Sequence, residues 1–260
     1  MTTLLVGCGR MGGALLRGWL AHGLTDIHVF DPGAEAIDGV GRLETLAAVA
    51  DLPRPLTVVV AVKPALASKV LAEIGLLLGA DALIVSVMAG IPLKAMREAV
   101  GERPMLVRAM PNIAVSLGRG ATAAVGAEGL GDAHRGICER LLGSVGTLAW
   151  LPDEAMLDAA TALSGSGPAY FFLFAEHLAA AGIGLGLPAD VAHRLAAATL
   201  AGAGALAAED PDVAGLRAMV TSPGGTTAAA IAAFQADDRL RILIAEAARA
   251  AATRAGELGG

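Results

Sequence analysis

The sequence predicts two domains of different class, an α/β domain with a parallel sheet over residues 1–152 and an all-α domain over residues 153–260. In the first part, short runs rich in Val, Ile and Leu alternate with segments of helical periodicity. This alternation is typical of βαβ units whose sheet is covered by helices on both faces. After residue 152 no further strand pattern occurs, and Ala, Leu and Gly dominate segments with helical periodicity. The boundary is therefore a change of class rather than a flexible linker.

The elements of the first part follow from the length of each apolar run and from the Gly, Pro or Asp that bounds it. Strands are predicted at residues 3–6, 27–30, 56–62, 83–87 and 105–108, with two further strands at 121–125 and 146–151. Helices are predicted between them at residues 11–22, 43–50, 65–78, 93–100 and 132–142.

In the second part, helices are predicted at residues 153–181, 189–208, 212–220, 225–235 and 238–256. The stretch 195–208 carries no charge on any face. A helix that is apolar all round must be buried from every side. Because a small all-α domain can hardly hide such a helix alone, we expect a partner subunit to cover it.

The charge balance and the cysteines exclude several classes of protein. With 19 basic and 25 acidic side chains the formal net charge is −6, which argues against nucleic acid or an anionic membrane as partner. The longest uncharged stretch near the middle, residues 159–175, is interrupted by Ser164-Gly165-Ser166-Gly167-Pro168 and is shorter than the roughly 20 apolar residues that span a membrane. Cys8 and Cys138 are far apart, and the five histidines form no cluster at ligand spacing. We therefore expect a reduced, cytoplasmic protein without a metal site.

A glycine motif, Gly7-Cys8-Gly9-Arg10-Met11-Gly12, follows the first predicted strand directly and opens the first helix. In this context the G-x-G-x-x-G pattern is the fingerprint of a Rossmann-type dinucleotide-binding domain. The first Gly permits a tight turn, the second lets the backbone approach the pyrophosphate, and the third allows close packing of helix and sheet. The helix N-terminus offers free N–H groups to the anion. A glycine-rich turn without a ligand is the less favoured alternative.

Asp31 ends the second predicted strand, where an acidic residue would accept hydrogen bonds from the adenosine ribose hydroxyls. The alternative is that Asp31-Pro32-Gly33 is only a turn, a position that suits Asp. No arginine follows until Arg42, so a 2′-phosphate would lack a local counter-ion. The pattern therefore favours NADH over NADPH.

Two polar segments stand out in the second part. Thr221-Ser222-Pro223-Gly224-Gly225-Thr226-Thr227 combines hydroxyl side chains with flexible glycines just before an Ala-rich helix. Hydroxyls and exposed N–H groups at a helix N-terminus form a site for a carboxylate, whereas the alternative, an ordinary N-cap, needs only one such residue. Ser164-Gly165-Ser166-Gly167-Pro168-Ala169-Tyr170 lacks the strand–turn–helix context of a hydrolase nucleophile. Its small residues favour close packing of helices or of a ligand.

Together these segments resemble the pyrroline-5-carboxylate reductase family, whose members catalyse the last step of proline biosynthesis. The resemblance runs from about residue 3 to residue 250 and rests on the glycine motif, on both polar segments and on three further stretches. These are Ala61-Val62-Lys63-Pro64, Ser86-Val87-Met88-Ala89-Gly90 and Arg108-Ala109-Met110-Pro111-Asn112. The resemblance implies a dinucleotide-binding domain at residues 1–152. It also implies a helical substrate and dimerisation domain at residues 153–260 that interlocks with its twin.

The resemblance also implies the site residues. Val6, Gly7, Cys8, Gly9, Arg10, Met11 and Gly12 would line the pyrophosphate, Val62, Lys63 and Pro64 would lie beside the cofactor, and Met88 and Ala89 would approach the nicotinamide. Ser222, Gly225, Thr226 and Thr227 would hold the substrate carboxylate and ring nitrogen, with Thr227 as the catalytic residue on the nitrogen. Members of the family commonly form homodimers that assemble further, often into decamers.

The sequence departs from the family pattern at three places. Many members carry Ser or Asn with a nearby Arg after the second strand, which suits NADPH, whereas this chain has Asp31-Pro32-Gly33. No Asn occurs before Asn112, so an adenosine-side Asn of relatives is absent, and Met88 replaces a more usual Ala. These differences bear on cofactor preference and not on the reaction.

The implied reaction is hydride transfer from NAD(P)H, with NADH favoured, to the C=N carbon of the cyclic imino acid Δ1-pyrroline-5-carboxylate, giving L-proline. Because the imine nitrogen can arrive protonated, the protein mainly positions donor and acceptor. Three alternatives stay open: a reductase of another cyclic imine, a β-hydroxyacid-type dehydrogenase and a non-catalytic dinucleotide sensor. The dehydrogenase would present a Lys in its second domain, and no Lys follows Lys94. The sensor would leave the hydroxyl-rich segment around Thr227 without a purpose.

Overall fold

The computed structural model describes residues 1–259. The chain forms two compact units: Met1–Ser166 together with the chain from Ala250 onwards, and Gly167–Arg249. The last strand of the described chain ends at Trp150, and helices follow it. The division into functional domains at residue 152 remains a prediction.

The first unit is built on one 8-stranded sheet. Its strands are β1 (Thr2–Val6), β2 (Ile27–Phe30), β3 (Gly41–Arg42), β4 (Leu56–Val60), β5 (Leu83–Ser86), β6 (Met105–Pro111), β7 (Gly120–Gly126) and β8 (Gly146–Trp150). They lie in the order β3-β2-β1-β4-β5-β6-β7-β8, and every neighbouring pair is parallel except β6 and β7. The predicted α/β class with a mainly parallel sheet is confirmed, and the short strand β3 is an addition.

The antiparallel pair β6–β7 differs from the fully parallel sheet that the strand–helix alternation predicted. A 3₁₀ helix at Ile113–Leu117 joins the two strands and ends at Gly118, whose φ of 67° lets the chain reverse. A parallel connection needs a crossover of about a dozen residues or more. So short a link therefore returns the chain antiparallel to β6.

Four helices of the first unit agree with the predicted segments to within a few residues: α1 (Arg10–Ala21), α2 (Ala67–Leu77), α3 (Leu93–Val100) and α4 (Asp132–Leu142). The prediction of an α-helix at residues 43–50 is wrong, because this segment forms a 3₁₀ helix at Leu46–Asp51. Pro53 and Pro55 follow closely, and they leave too little chain to nucleate an α-helix.

Two apolar cores cover the two faces of the sheet. One contains Leu5 and Trp19, and the other contains Leu4 and Ile74, all of them fully buried. Leu4 and Leu5 are neighbours in β1 and point to opposite faces, as pleating requires. Trp19 of α1 donates its indole N–H to the Leu141 carbonyl of α4 at 2.7 Å. The sheet is thus a well-packed support for the loops at its carboxyl edge.

After β8 the chain contains α5 (Leu157–Ala160), α6 (Gly167–Gly184), α7 (Ala189–Glu209), α8 (Val213–Met219), α9 (Thr226–Gln235) and α10 (Arg239–Gly259). The single helix predicted at residues 153–181 is interrupted, because a 3₁₀ turn, α5 and a π-helical stretch at Thr161–Gly165 precede α6. Pro168 accounts for the break. It lacks an N–H, and its ring clashes with the carbonyl four residues back, which widens the preceding turn.

The helices of the second unit expose large apolar side chains within this chain. Phe171 and Phe172 of α6 are 63% and 61% exposed, and in α7 Ala192 and Ala196 are the buried residues. By length and composition α7 could cross a membrane, a test that core helices of soluble proteins also pass. An exposed apolar surface of this kind marks an interaction site.

Candidate active site

The carboxyl ends of parallel strands bring the cofactor residues implied by the resemblance to one edge of the sheet. Val6 at the end of β1 is in register with the last residues of β2 and β4, and β4 ends level with β5. The strand order reverses beside β1, and ligands of such sheets bind in the crevice at this point. The segments that follow these strands are the glycine loop (residues 7–12), Asp31, residues 61–64 and the β5–α3 loop (residues 87–92).

The three glycines of the glycine loop have different surroundings. Gly7 has a φ of +93°, and a Cβ there would lie 2.8 Å from the Ala61 carbonyl oxygen, so the tight turn requires glycine. A Cβ on Gly12 would overlap the Gly7 carbonyl oxygen, so this glycine allows α1 to pack closely. A Cβ on Gly9 would meet no atom of the described residues within 4 Å. The space in front of Gly9 is therefore open to a ligand that approaches the backbone, as a pyrophosphate does.

The N-terminus of α1 has the polarity that an anion needs. Gly9 is the N-cap, and no side chain among residues 1–259 caps the helix. Its first turn has no acidic residue, and Arg10 at its start is exposed. Met11 packs against the core and fixes the helix to the sheet. Because the first N–H groups and the helix dipole both attract negative charge, the loop fits a pyrophosphate group.

Asp31 uses both carboxylate oxygens within the chain. Oδ1 accepts a hydrogen bond from the Gly33 N–H at 2.8 Å, which is the turn considered as an alternative above. Oδ2 accepts a hydrogen bond from the Cys8 N–H at 2.6 Å, and so joins the end of β2 to the glycine loop. A carboxylate oxygen can accept a second hydrogen bond, so both contacts are compatible with a ribose hydroxyl as a further donor. The structure thus holds a carboxylate beside the glycine loop.

Cys8 lies inside this arrangement, and its thiol is kept neutral. Burial raises the pKa of Cys8, the Asp31 carboxylate raises it further, and the Arg17 guanidinium opposes the rise. The thiol therefore adds no negative charge to the glycine loop near neutral pH, which suits the binding of a phosphate.

The residues after β4 and β5 differ in how far they are exposed. Val62 borders the tight turn, since a Cβ on Gly7 would lie 3.0 Å from its Cγ1. Lys63 and Pro64 are exposed at the start of a 3₁₀ helix. Met88 is 2% exposed with its side chain in the core, whereas Ala89 is exposed. Of the two residues assigned to the nicotinamide side, Ala89 is the one whose side chain is open to a ligand.

The hydroxyl segment (residues 221–227) lies in the second unit, at the start of α9. Gly225 is the N-cap, and no side chain of the described residues caps this helix, so ordinary capping does not explain the hydroxyls. Ser222 and Thr226 are exposed and Thr227 is half-buried. The Gly225 N–H donates to the Ser222 carbonyl at 3.0 Å, which closes a tight turn before the helix. Hydroxyls beside an uncapped helix N-terminus suit a carboxylate ligand.

A buried ion pair, which the sequence did not predict, connects β6 to the segment after β8. The Arg108 side chain of β6 is 8% exposed, and its Nη1 donates to Glu154 Oε1 at 2.7 Å. The same oxygen accepts the N–H of Leu93, the first residue of α3, at 2.8 Å. Glu154 therefore connects β6, α3 and the segment after β8. An arginine within an apolar strand indicates that a buried carboxylate partner is required, but the sequence does not show which Asp or Glu residue is that partner.

Asn112, at the end of β6, holds the π-helical stretch in place. Its Nδ2 donates to the Ser164 carbonyl at 3.1 Å, and its Oδ1 accepts the N–H groups of Ala114 and Ala121 at 3.1 and 3.3 Å. The Ser164 hydroxyl donates to the Ala160 carbonyl at 2.9 Å. These contacts favour the structural interpretation of Ser164.

A metal centre is not formed by the described part of the chain. Among residues 1–259 no group of three or more His, Cys, Asp or Glu side chains is placed to hold a metal ion. Cys8 and Cys138 are both free thiols. The absence of a metal from the protein stays a prediction.

Comparison with known proteins gives matches over both parts of the chain. Residues 154–258 match the family model for pyrroline-5-carboxylate reductase dimerisation, and residues 3–90 match the model for NADP oxidoreductase, coenzyme F420-dependent. The pyrroline-5-carboxylate reductase of Pseudomonas aeruginosa is 39% identical over 97% of this chain and 95% of its own. The solved structure of the Coxiella burnetii reductase has a TM-score of 0.90 and 32% identity, and the match covers 100% of this chain and 98% of that chain. The Plasmodium falciparum reductase, solved with NADP bound, has a TM-score of 0.84 and 26% identity over the same shares of both chains.

These matches include the glycine loop in one part of the chain and the hydroxyl segment in the other. Identity at this level over nearly the full length also agrees with the resemblance found in the motifs. The chain therefore belongs to the pyrroline-5-carboxylate reductase family.

Proposed function

We propose that this chain reduces the C=N bond of Δ1-pyrroline-5-carboxylate to give L-proline, with a reduced nicotinamide dinucleotide supplying the hydride when bound. The observation that carries the proposal is the open glycine loop at the carboxyl edge of the sheet, in a chain that belongs to this reductase family over nearly its whole length. An imine that arrives protonated on nitrogen needs no further proton donor. The chain's own residues therefore bind and orient the two reactants.

For the cofactor we propose NADH in preference to NADPH. The Asp31 carboxylate, fixed by the N–H groups of Cys8 and Gly33, would accept hydrogen bonds from ribose hydroxyls and repel a 2′-phosphate. Arg42, the nearest following arginine, lies with its Nε 3.4 Å from Glu44 Oε1, so its charge is already paired. The Plasmodium falciparum relative was solved with NADP bound, so the family site accepts the 2′-phosphate in that protein.

The other cofactor contacts that we propose follow the edge of the sheet. The glycine loop, with Arg10 and the N–H groups of α1, would hold the pyrophosphate. Residues Val62, Lys63 and Pro64 would lie beside the cofactor, and the backbone of Met88 with the side chain of Ala89 would face the nicotinamide. This assignment is supported by the open space at Gly9 and by the exposure of Ala89.

For the substrate we propose the hydroxyl segment. Ser222 and the backbone N–H groups near Gly225 and Thr226 would bind the carboxylate, and the Thr227 hydroxyl would contact the ring nitrogen as the catalytic residue. The support is the uncapped N-terminus of α9 and the exposure of the hydroxyls of Ser222 and Thr226. Contact at the nitrogen would fix the face of the ring that receives the hydride.

The chain is an oligomer by its match to a dimerisation model, and we propose a homodimer as the unit, with decamers as a higher assembly. The apolar residues exposed on α6 and α7 support a covering partner. We also propose residues 1–152 as the dinucleotide-binding domain and 153–260 as the substrate and dimerisation domain, in a cytoplasmic protein.

The test is turnover of Δ1-pyrroline-5-carboxylate with NADH and with NADPH, followed by detection of proline. We expect proline with both cofactors and a higher kcat/KM with NADH. A six-membered cyclic imino acid, assayed alongside, separates this substrate from another cyclic imine. Binding of NADH without proline at high enzyme concentration would overturn the proposal, and absence of turnover of both imino acids would favour the dinucleotide sensor.

A further inference from the structure

The β5–α3 loop (residues 87–92) is fixed at both of its ends by the sheet and its neighbours. At its start, the Val87 N–H donates to the Val60 carbonyl at 2.9 Å, and the Met88 side chain is buried in the core. At its end, the Leu93 N–H is held by Glu154, which is held in turn by Arg108. The part of the loop without such an anchor is Ala89-Gly90.

The end of α10 packs directly against this unanchored part. Gly90 has a φ of +75°, and a Cβ there would overlap the carbonyl oxygen of Leu258. In return, a Cβ on Gly259 would lie 3.5 Å from the Gly90 carbonyl oxygen. The contact is therefore between two backbones, which only glycine at position 90 permits. One turn earlier, a Cβ on Gly256 would come within 3.3 Å of Asp158 Oδ2, so the end of α10 also runs close to α5.

We propose that the C-terminal turn of α10 is a positioning element for the β5–α3 loop, in which the backbone of Leu258 and Gly259 holds Gly90 and thereby Ala89 in place. This inference rests on the proposed cofactor site, in which Ala89 faces the nicotinamide. The adenosine half of the cofactor would be bound by Asp31 and the glycine loop, which lie at other strand ends. Loss of the contact should therefore weaken binding of the nicotinamide half and spare the adenosine half.

Two variants remove or disturb the contact. One lacks residues 258–260, and the other is Gly90→Ala. Gly101→Ala is the matched control, because Gly101 has a φ of +77° and a Cβ there would meet no atom of the described residues within 4 Å. It reproduces the backbone strain of Gly90→Ala without the overlap. Leu258→Ala is a second control, since it keeps the backbone and shortens a side chain that is 55% exposed.

Binding is measured with NADH and with ADP-ribose, which lacks the nicotinamide. We expect both variants to raise the Kd for NADH and to lower kcat/KM about tenfold to a hundredfold, the effect of displacing a positioning group. The Kd for ADP-ribose should stay within about twofold of wild type, as should all constants of the two controls. Equal weakening of NADH and ADP-ribose would overturn the inference.

Hydrogen exchange of the amides of residues 88–91 in the cofactor-free protein tests the contact without reference to the cofactor site. We expect faster exchange in the chain that lacks residues 258–260, and the effects of this deletion and of Gly90→Ala should not add when combined. Unchanged exchange, or additive effects, would overturn the proposal. Failure of the proposed function would instead be seen as a wild-type chain that makes no proline, whatever the exchange result.

Discussion

Replacement of Glu154 by Ala should destabilise the protein strongly, because three elements meet at its carboxylate. The change removes the acceptor of Arg108 Nη1 at 2.7 Å and of the Leu93 N–H at 2.8 Å. Arg108 Nε is already buried without a partner among the described residues, so the guanidinium would keep a buried, uncompensated charge. Glu154 therefore connects β6 and the segment after β8 to the first residue of α3, and so fixes the end of the β5–α3 loop.

The loss of unfolding free energy expected for Glu154→Ala follows from the burial of Arg108 and Glu154. Breaking a buried ion pair costs about 3–5 kcal/mol. Because the Glu154 side chain is 27% exposed and Arg108 8% exposed, water reaches the pair from one side. The loss should then be about 2–4 kcal/mol. At roughly 2–4 °C per kcal/mol for a chain of this size, Tm should fall by about 5–15 °C.

The assay is thermal unfolding at one fixed protein concentration, since the Tm of an oligomer depends on concentration. Glu154→Gln keeps an acceptor for Leu93 and loses the charge, so its Tm should lie between those of wild type and Glu154→Ala. Arg108→Met combined with Glu154→Leu removes both charges and should recover most of the loss. Glu98→Ala is the control, because its pair with Lys94 in α3 is exposed and worth at most about 0.5 kcal/mol. A Glu154→Ala protein that melts within about 2 °C of wild type would refute the reasoning.

Further predictions concern the site and the second cysteine. Asp31→Asn should shift the ratio of kcat/KM for NADH over NADPH toward NADPH by about tenfold, about 1.4 kcal/mol, and an unchanged ratio would contradict the ribose role of Asp31. Thr227→Ala should lower kcat/KM by roughly ten- to a thousandfold with the NADH Kd unchanged, and Thr227→Ser should restore most of it; full activity in a destabilised Ala variant would contradict the role. Gly12→Ala should lower the free energy of unfolding by about 1–3 kcal/mol, because its Cβ would overlap the Gly7 carbonyl oxygen. Gly9→Ala should instead keep the Tm and weaken NADH binding, because its Cβ would meet no atom of the described residues within 4 Å. Equal melting temperatures of the two variants would contradict this difference. Burial raises the pKa of Cys138 from 9.0 to about 12, so the folded state favours the neutral thiol; its contribution to stability is present below pH 9 and lost as the pH rises toward 12. Denaturation from pH 8 to 11 should therefore show a smaller loss for Cys138→Ala than for wild type, and parallel curves would contradict the pKa shift.

The elements with strong local signals could be predicted from the sequence. The buried runs at β1, β4 and β5 are rich in Val, Ile and Leu, and the glycine motif marks the turn between β1 and α1. Such patterns are local, because the side-chain period of a strand or helix is written in neighbouring residues. The segment at residues 43–50 was wrongly predicted as an α-helix because only a short stretch has helical periodicity. The prolines that follow it prevent a longer helix, and a 3₁₀ helix forms instead.

Contacts between distant segments could not be predicted in this way. The partner of Arg108, the bond from Asn112 to Ser164 and the packing of Leu258 against Gly90 each join residues far apart in the chain. A buried arginine or a glycine with positive φ shows that some neighbour is required, but the fold selects which one. The direction of β7 likewise depends on the reversal at Gly118, which no apolar pattern reveals.

The antiparallel pair β6–β7 also bears on the order in which the sheet assembles. Its two strands are joined by a 3₁₀ helix, whereas β1 meets β4 only after the chain has passed through α1, β2 and β3. The entropy cost of closing a loop grows with its length, by about 0.6 kcal/mol for each doubling. During refolding, amides of this hairpin, such as those of Asn112 and Ala127, which donate to the Ala121 and Leu106 carbonyls, should therefore become protected before those of β1, and the parallel strands would then add to an existing edge.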